Sequence, residues 1–303
     1  MPYAWTHMIF GDTVLEKGGF PPPGDEKMFH LGCQGPDFLF FHRFWPWVKD
    51  DRVSRLGSAM HLRRCGPFLR DLIEEAKEKT SIRDAVTGFI THHILDRTTH
   101  PYIHYRAGYE GYNHQRMEVT IDTLVARKLA GIETWRTPLA PRIDVGPSLP
   151  EVWTDVFDRL ARKHYPEETE NIRREELNEA YRDMLKALRI FYDPWGIKRA
   201  LTLGKIDPFR HTPYFPHRDY LNESESEWRH PAVPEETHRE SFWTLWERAL
   251  EEATGIVRKT REYWSSSEKA FPETLRRAIG NISYDTGKDC DLNLVNKAAD
   301  PIF

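Results

Sequence analysis

The sequence predicts an all-α, single-domain protein, and three observations carry that prediction. Apolar residues recur at three- and four-residue spacing over most of the chain, as one face of a helix requires. Alternating Val, Ile and Thr runs are few and no Asn-Gly hairpin turn occurs. Hydrophobic residues make up 39% and charged residues 30% of the 303, a globular composition with enough apolar material for a sizeable core.

In chain order, Thr6-His7 opens the first helix, and Gly18-Gly19-Phe20-Pro21-Pro22-Pro23-Gly24 is a turn-rich loop. Ser54–Lys79 carries Leu56, Met60, Phe68, Leu69, Leu72, Ile73 and Ala76 at helical spacing, interrupted near Gly66-Pro67. Thr80 or Ser81 can cap the helix that follows, whose buried face is Ile82, Ala85, Val86, Phe89, Ile90, Ile94 and Leu95. Val119, Ile121, Leu124, Val125 and Leu129 predict a helix over Glu118–Leu129, and later helices are expected over Leu149–His164, Arg173–Tyr192, Thr237–Tyr263 and Phe271–Ile279. Trp135–Pro150 is a Pro-containing link between two helical blocks, and Ile206–Pro234 is a longer, irregular, Pro-rich loop, which is either functional or a strap that covers the helices. Neither marks a domain boundary, so one domain over 1–303 is expected, with its chemistry in 1–130.

Composition excludes several classes. No run approaches the ~18 apolar residues of a membrane span, and the mean hydropathy is -0.66. With 43 basic and 47 acidic residues interspersed, the net charge is -4, which gives no reason to expect a dedicated nucleic-acid partner. The N-terminus has no basic, apolar or small-residue cleavage region, and Cys33, Cys65 and Cys290 are odd in number and far apart in sequence. The expectation is a cytoplasmic protein with reduced cysteines, Cys33 and Cys65 being small core residues.

Six of the 14 histidines lie between His61 and His114. In a helix, His92, Asp96 and His100 fall at i, i+4 and i+8 and form one stripe. Imidazole nitrogen and carboxylate oxygen are the usual zinc ligands where thiolates are absent, and burying these three without a metal or strong partners is expensive. His114 and Glu118 add a second such pair one turn apart. His93 lies about 100° round the helix from His92 and reads as a packing residue. His104 continues the stripe, but Pro101 is expected to end the regular geometry before it. The chain has no His-Glu-x-x-His, no His-Asp dipeptide, no paired Glu-x-x-His, no phosphate-binding Gly-rich loop and no Gly-x-Ser-x-Gly.

Upstream, Thr6-His7, Leu31-Gly32-Cys33-Gln34-Gly35-Pro36-Asp37 and Gly57–His61 precede Gly88–Tyr102 and His114–Glu118. In this order, over roughly the first 120 residues, they resemble the zinc-dependent phospholipase C family, whose fold is shared with secreted single-strand-specific nucleases. The resemblance implies a cluster of two or three zinc ions in a helical core. It places Asp37, His61, His92 and Asp96 on the first zinc, His100, His114 and Glu118 on the second, and His7 with a bridging Asp96 on the third. It also implies phosphodiester hydrolysis by a metal-bridging water, with Asp37 and Asp96 in catalytic roles, or Asp37 as a purely structural ligand, and a phosphodiester or phospholipid-like substrate. Two departures stand out. The secreted enzymes ligate the third zinc with a processed N-terminal Trp, which this chain lacks. They also place a His six residues beyond the bridging Asp, where this chain has Tyr102, so that His100 is the chosen ligand and His104 the alternative.

For substrate contact, Phe38, Phe40, Phe41, Phe44, Trp45 and Trp47 offer either an apolar mouth or core packing, with packing favoured. Arg43, Arg63, Arg64 and Arg97 offer phosphate contacts or surface charge. The other functions open to such a chain are a nuclease on the same fold and a catalytically silent helical protein that keeps metal for stability.

Overall fold

A computed structural model describes residues 4–303; the N-terminal residues Met1–Tyr3, on which the reading of an unprocessed start rests, lie outside them. The helices are α1 (Ala4–Gly18), α2 (Glu26–Gly32), α3 (Arg52–Leu62), α4 (Cys65–Glu78), α5 (Arg83–Ala107), α6 (Asn113–Ala130), α7 (Ala140–Ile143), α8 (Glu151–His164), α9 (Pro166–Thr169), α10 (Arg174–Phe191), α11 (Ile197–Leu201), α12 (Phe242–Ser265) and α13 (Glu273–Ile279). Among the described residues, the two strands are β1 (Trp228–His230) and β2 (Val233–His238), paired antiparallel. One contiguous apolar core runs from Ala4 to Cys290 and joins both halves of the chain into a single mostly helical domain. No helix of the described residues is long and apolar enough to cross a membrane.

Helix α5 is the axis. Every residue from Ala85 to Ile103 is buried, because α1, α2, α4, α6 and α12 pack around it. A helix covered on all sides needs no polar face, so its histidines, threonines and Asp96 must be satisfied from within. The approach of α2 is set by two glycines: a Cβ at Gly32 would lie 2.1 Å from the Ala85 carbonyl oxygen, and one at Gly88 would lie 2.3 Å from that of Phe29. Backbone thus meets backbone at this crossing, which brings the Gly35-Pro36-Asp37 turn over the middle of α5.

Pro101 does not end α5, which continues to Ala107. The proline removes the hydrogen bond to the carbonyl of Arg97, and neighbouring structure takes up the gap. The loop 283–287 docks there, with Gly287 (φ +61) so close that a Cβ would sit 2.4 Å from the Arg97 oxygen. The same loop is pinned from its other side, where the His61 carbonyl accepts from Tyr284 N (2.9 Å) and Ser283 Oγ (2.9 Å).

Other differences from the sequence expectations have local causes. Thr80 and Ser81 form a 3-10 turn with Ile82 rather than cap α5. The break between α3 and α4 falls at Arg63-Arg64, Arg64 being left-handed (φ 51), so that Gly66-Pro67 lies in the first turn of α4, where a proline costs nothing. Helix α6 begins at Asn113, five residues before the expected start. The α12 pattern starts at Phe242, capped by Ser241, and Thr237 belongs to β2. Phe38 and Phe41 are core residues, whereas Trp47 is exposed. Arg97 is buried and clamps the Ile279 carbonyl (2.6 Å) and Glu252 (2.6 Å), and Arg43 pairs with Asp50 and Glu179, so neither is a spare phosphate contact. Cys65 and Cys290, distant in sequence, are buried free thiols with sulfurs 3.5 Å apart.

Candidate metal centre

The site is assembled on α5. His92, Asp96 and His100 project from successive turns, and Asp96 Oδ2 lies 3.2 Å from His92 Nε2 while Oδ1 lies 3.4 Å from His100 Nε2. From α1, His7 Nε2 reaches Asp96 Oδ1 at 3.2 Å. Its placement depends on Asp122 of α6, whose carboxylate accepts from the backbone N–H of Trp5 (3.2 Å) and Thr6 (2.6 Å) and from the Thr6 hydroxyl (2.7 Å). A carboxylate there satisfies otherwise orphaned N–H groups of the first turn and fixes the phase of α1.

From the turn after α2 comes Asp37, and from α3 comes His61, whose Nε2 is 3.0 Å from Asp37 Oδ1. His92 Nε2 stands 3.9 Å from that same Asp37 oxygen. From α6, His114 Nε2 meets Glu118 Oε1 at 3.0 Å, and His100 Nε2 lies 3.6 Å from it. All eight residues anticipated from the sequence therefore meet in one core pocket, contributed by α1, α3, α5, α6 and the turn at Asp37. Seven are buried, and His114 is half-buried. Asp37, His61, His92 and Asp96 form one group whose ligand atoms lie within 4.8 Å of one another, and His100, His114 and Glu118 form another.

The outer ring nitrogens show which lone pairs face inward. His61 Nδ1 is 2.8 Å from the Gly57 carbonyl and His92 Nδ1 is 3.1 Å from that of Cys33, so each Nδ1–H donates to backbone and Nε2 is turned to the carboxylates. Such backbone anchors fix the tautomer of metal-binding histidines. His92 Nε2, Asp96 Oδ2 and His100 Nε2 are buried without a hydrogen-bond partner. Among the described residues, no Lys or Arg pairs with Asp37, Asp96 or Glu118. Lone pairs facing lone pairs at 3–4 Å in a buried pocket require protons or cations between them. By this measure the donor set could hold a metal ion.

The charge states agree. Burial works against ionisation, but His100, His92 and His7 together hold the Asp96 carboxyl well below its usual range. Burial is likewise outweighed at Glu118, by His114 and His100, and at Asp37, by His92 and His61. Burial lowers His92 to about 4, so its ring is neutral. His61, also desolvated, is raised to about 9 because Asp37 faces it, and that proton must leave before Nε2 can ligate.

Gly35 (φ +51) is the tightest contact with the cluster: a Cβ there would lie 2.1 Å from His92 Cδ2. His93, the neighbour read as packing, points away and meets the Ile282 carbonyl through Nε2 (2.8 Å) and the Tyr284 ring. His104 is on the regular helix after all, and it faces Asp285, whose Oδ1 is 3.8 Å from His104 Nε2 and 3.7 Å from His100 Nδ1. Asp285 carries no signal in the sequence, lying in a short turn far from the histidine-rich zone. Asp122 does carry one, as it extends the His114–Glu118 stripe by one turn. A further group, His42, Glu176 and Glu179, is already neutralised by Arg43 and Arg52.

A cleft of about 380 Å³ lies beside the site, with His104 and Asp285 in its wall next to Arg63 and Tyr109, and none of the eight donors lines it. Compared with known proteins, the chain matches no family model, no curated protein and no solved structure.

Proposed function

We propose that the protein is a zinc-dependent phosphoesterase that hydrolyses a phosphodiester in the manner of a phospholipase C. The observation that carries the reading is the pair of adjoining donor groups, Asp37/His61/His92/Asp96 and His100/His114/Glu118, which share a wall at His100 and Asp96. Single structural sites use about four ligands, and eight converging donors exceed that. Zinc held there would polarise a phosphoryl oxygen and make water nucleophilic at neutral pH.

The chain's own residues have separable tasks. Asp96, with imidazoles at both oxygens, holds the two groups together. Asp37, which His61 faces at 3.0 Å, is the carboxylate able to take a proton from attacking water. His61 and His92 are held by backbone carbonyls, so they need no reorganisation when the charge of the substrate changes. Arg63, in the wall of the neighbouring cleft, would have to leave its pair with Glu168 to meet an incoming phosphate. The packed helices bury seven of the eight donors.

Zinc analysis of the purified protein, followed by assays on phosphatidylcholine, a chromogenic phosphodiester and single-stranded DNA, tests the reading. Bound zinc with phosphodiester turnover, lost on chelation, is the expected result. Turnover of DNA alone would make the protein a nuclease, and zinc without turnover of any substrate would leave the ions a purely structural role.

A further inference from the structure

Outside the cluster, the most unusual surface of the molecule is the segment 194–218, around α11. Trp195, Ile197, Leu201, Leu203 and Tyr214 are 61–88% exposed. Isolated exposed apolar residues are ordinary, but five large ones within 20 residues of sequence are not. Ile197 and Leu201 are one turn apart on the same face of α11. Leu203 holds a left-handed backbone (φ 52), which is costly for a bulky residue and which glycine or asparagine would adopt without strain. A leucine kept in a strained conformation with its side chain in solvent points to contact with something beyond the chain.

The charge of the segment is as distinctive. Lys198, Arg199, Lys205, Arg210 and Arg218 stand against Asp207 alone, in a chain whose net charge is -4. A groove of about 990 Å³ runs beside Trp195 and Tyr214 with Arg116, Arg136, Arg199 and Arg210 in its walls. Arg199 and Arg210 pair with Asp207, whereas Arg116 and Arg136 have no ion-pair partner among the described residues. Helix α6 forms the partition: it presents Arg116 to the groove and His114 and Glu118 to the cluster.

We propose that this segment docks the protein on an anionic lipid surface, with the apolar side chains entering the acyl boundary and the arginines meeting phosphate headgroups. Exposed aliphatics, Trp and Tyr beside basic residues are what an interfacial anchor requires. Nucleic acid fits less well, because Ile197, Leu201 and Leu203 have no ring with which to stack on bases. The docking surface goes beyond the phosphoesterase reading and would stand without it, although it assigns that reading a lipid rather than a soluble substrate.

Co-sedimentation of the full chain with vesicles tests the proposal, using phosphatidylcholine alone and phosphatidylcholine mixed with phosphatidylglycerol. The mixed vesicles should bind at least about tenfold more tightly, and added salt should weaken them. The double variant Leu201→Ser, Leu203→Ser should lose about tenfold or more on the mixed vesicles, and Lys205→Glu a smaller factor on those vesicles only. Equal binding by the double variant, or no vesicle binding at all, overturns the proposal. So does binding of a single-stranded oligonucleotide that Trp195→Ala abolishes while leaving vesicle binding intact. Hydrolysis of a soluble chromogenic phosphodiester, measured on the same samples, is unaffected by these variants, so that loss of docking and failure of the phosphoesterase reading give different results.

Discussion

Helices α5 and α8 follow opposite rules. Helix α8 is amphipathic: Trp153, Val156, Phe157, Leu160 and Ala161 face the core, and its charges lie outside, as in the Asp158–Arg162 pair (3.0 Å). Helix α5 is buried on every side and carries its polar groups inward. In α8 a charge is solvated and loosely held. In α5 a charge exists only because specific partners surround it, so the same chemical change should have very different consequences in the two helices.

The largest contrast is expected from Asp→Asn. Asp96→Asn keeps the shape but removes the charge shared by both donor groups. It should abolish zinc retention and phosphodiester turnover, measured by metal analysis and rate. Asp158→Asn, half-solvated in α8, should change stability by about 0.5 kcal/mol or less in a denaturant melt. Comparable effects of the two would remove the distinction between the helices.

Next come the neighbouring histidines of α5. His92→Ala deletes an inward nitrogen and should weaken zinc about 10- to 100-fold. His93→Ala deletes a ring that bonds the Ile282 carbonyl and should weaken zinc far less, while still lowering the melting temperature. Equal losses of zinc from both would show that the ligand has been misassigned.

Glycine sharpens the comparison further. Gly35→Ala drives a Cβ against the His92 ring and should weaken zinc about tenfold or more by titration. Gly255→Ala in α12, where a Cβ meets nothing within 4 Å, should instead stabilise by about 0.5–1 kcal/mol.

The smallest effect expected is one of pH. In the ion-free protein the His61 pKa is raised from 6.5 to about 9, so its pairing with Asp37 contributes stability that is complete below pH 6.5 and lost as pH rises through 9. A zinc ion bound at Nε2 would take the place of that proton. Melting temperatures of chelated protein should fall across this window, and those of zinc-loaded protein should not. Parallel profiles would mean that His61 does not ligate.

Much of this contrast was legible in the sequence. The stripe of His92, Asp96 and His100 needs only helical spacing, and α8 and α10 announce themselves by clean apolar faces. The outer wall of the site was not legible. Asp285 reaches His100 and His104 through a turn with no periodicity, and its approach depends on Pro101 continuing α5 rather than stopping it. Proline ends helices by removing one hydrogen bond and crowding the preceding turn, a rule that fails where tertiary packing takes up the gap, as Gly287 does here. The strands at 228–238 escaped for a similar reason. β1 is held by Trp228, buried and stacked on His238 (4.4 Å), a contact between residues that alternation over so short a run cannot reveal.

The seating of that loop against Arg97 has a consequence for timing. All eight inward donors lie before residue 120, so a growing chain holds the whole set long before residues 283–287 exist. The loop can settle only onto a completed α5, across a separation that makes its closure slow relative to local helix formation. Ions would be taken up first and walled in afterwards. Once walled in, their release would be governed by transient opening of the chain's C-terminal part rather than by the strength of the ligand bonds alone, and exchange with free zinc would become a clock for that opening.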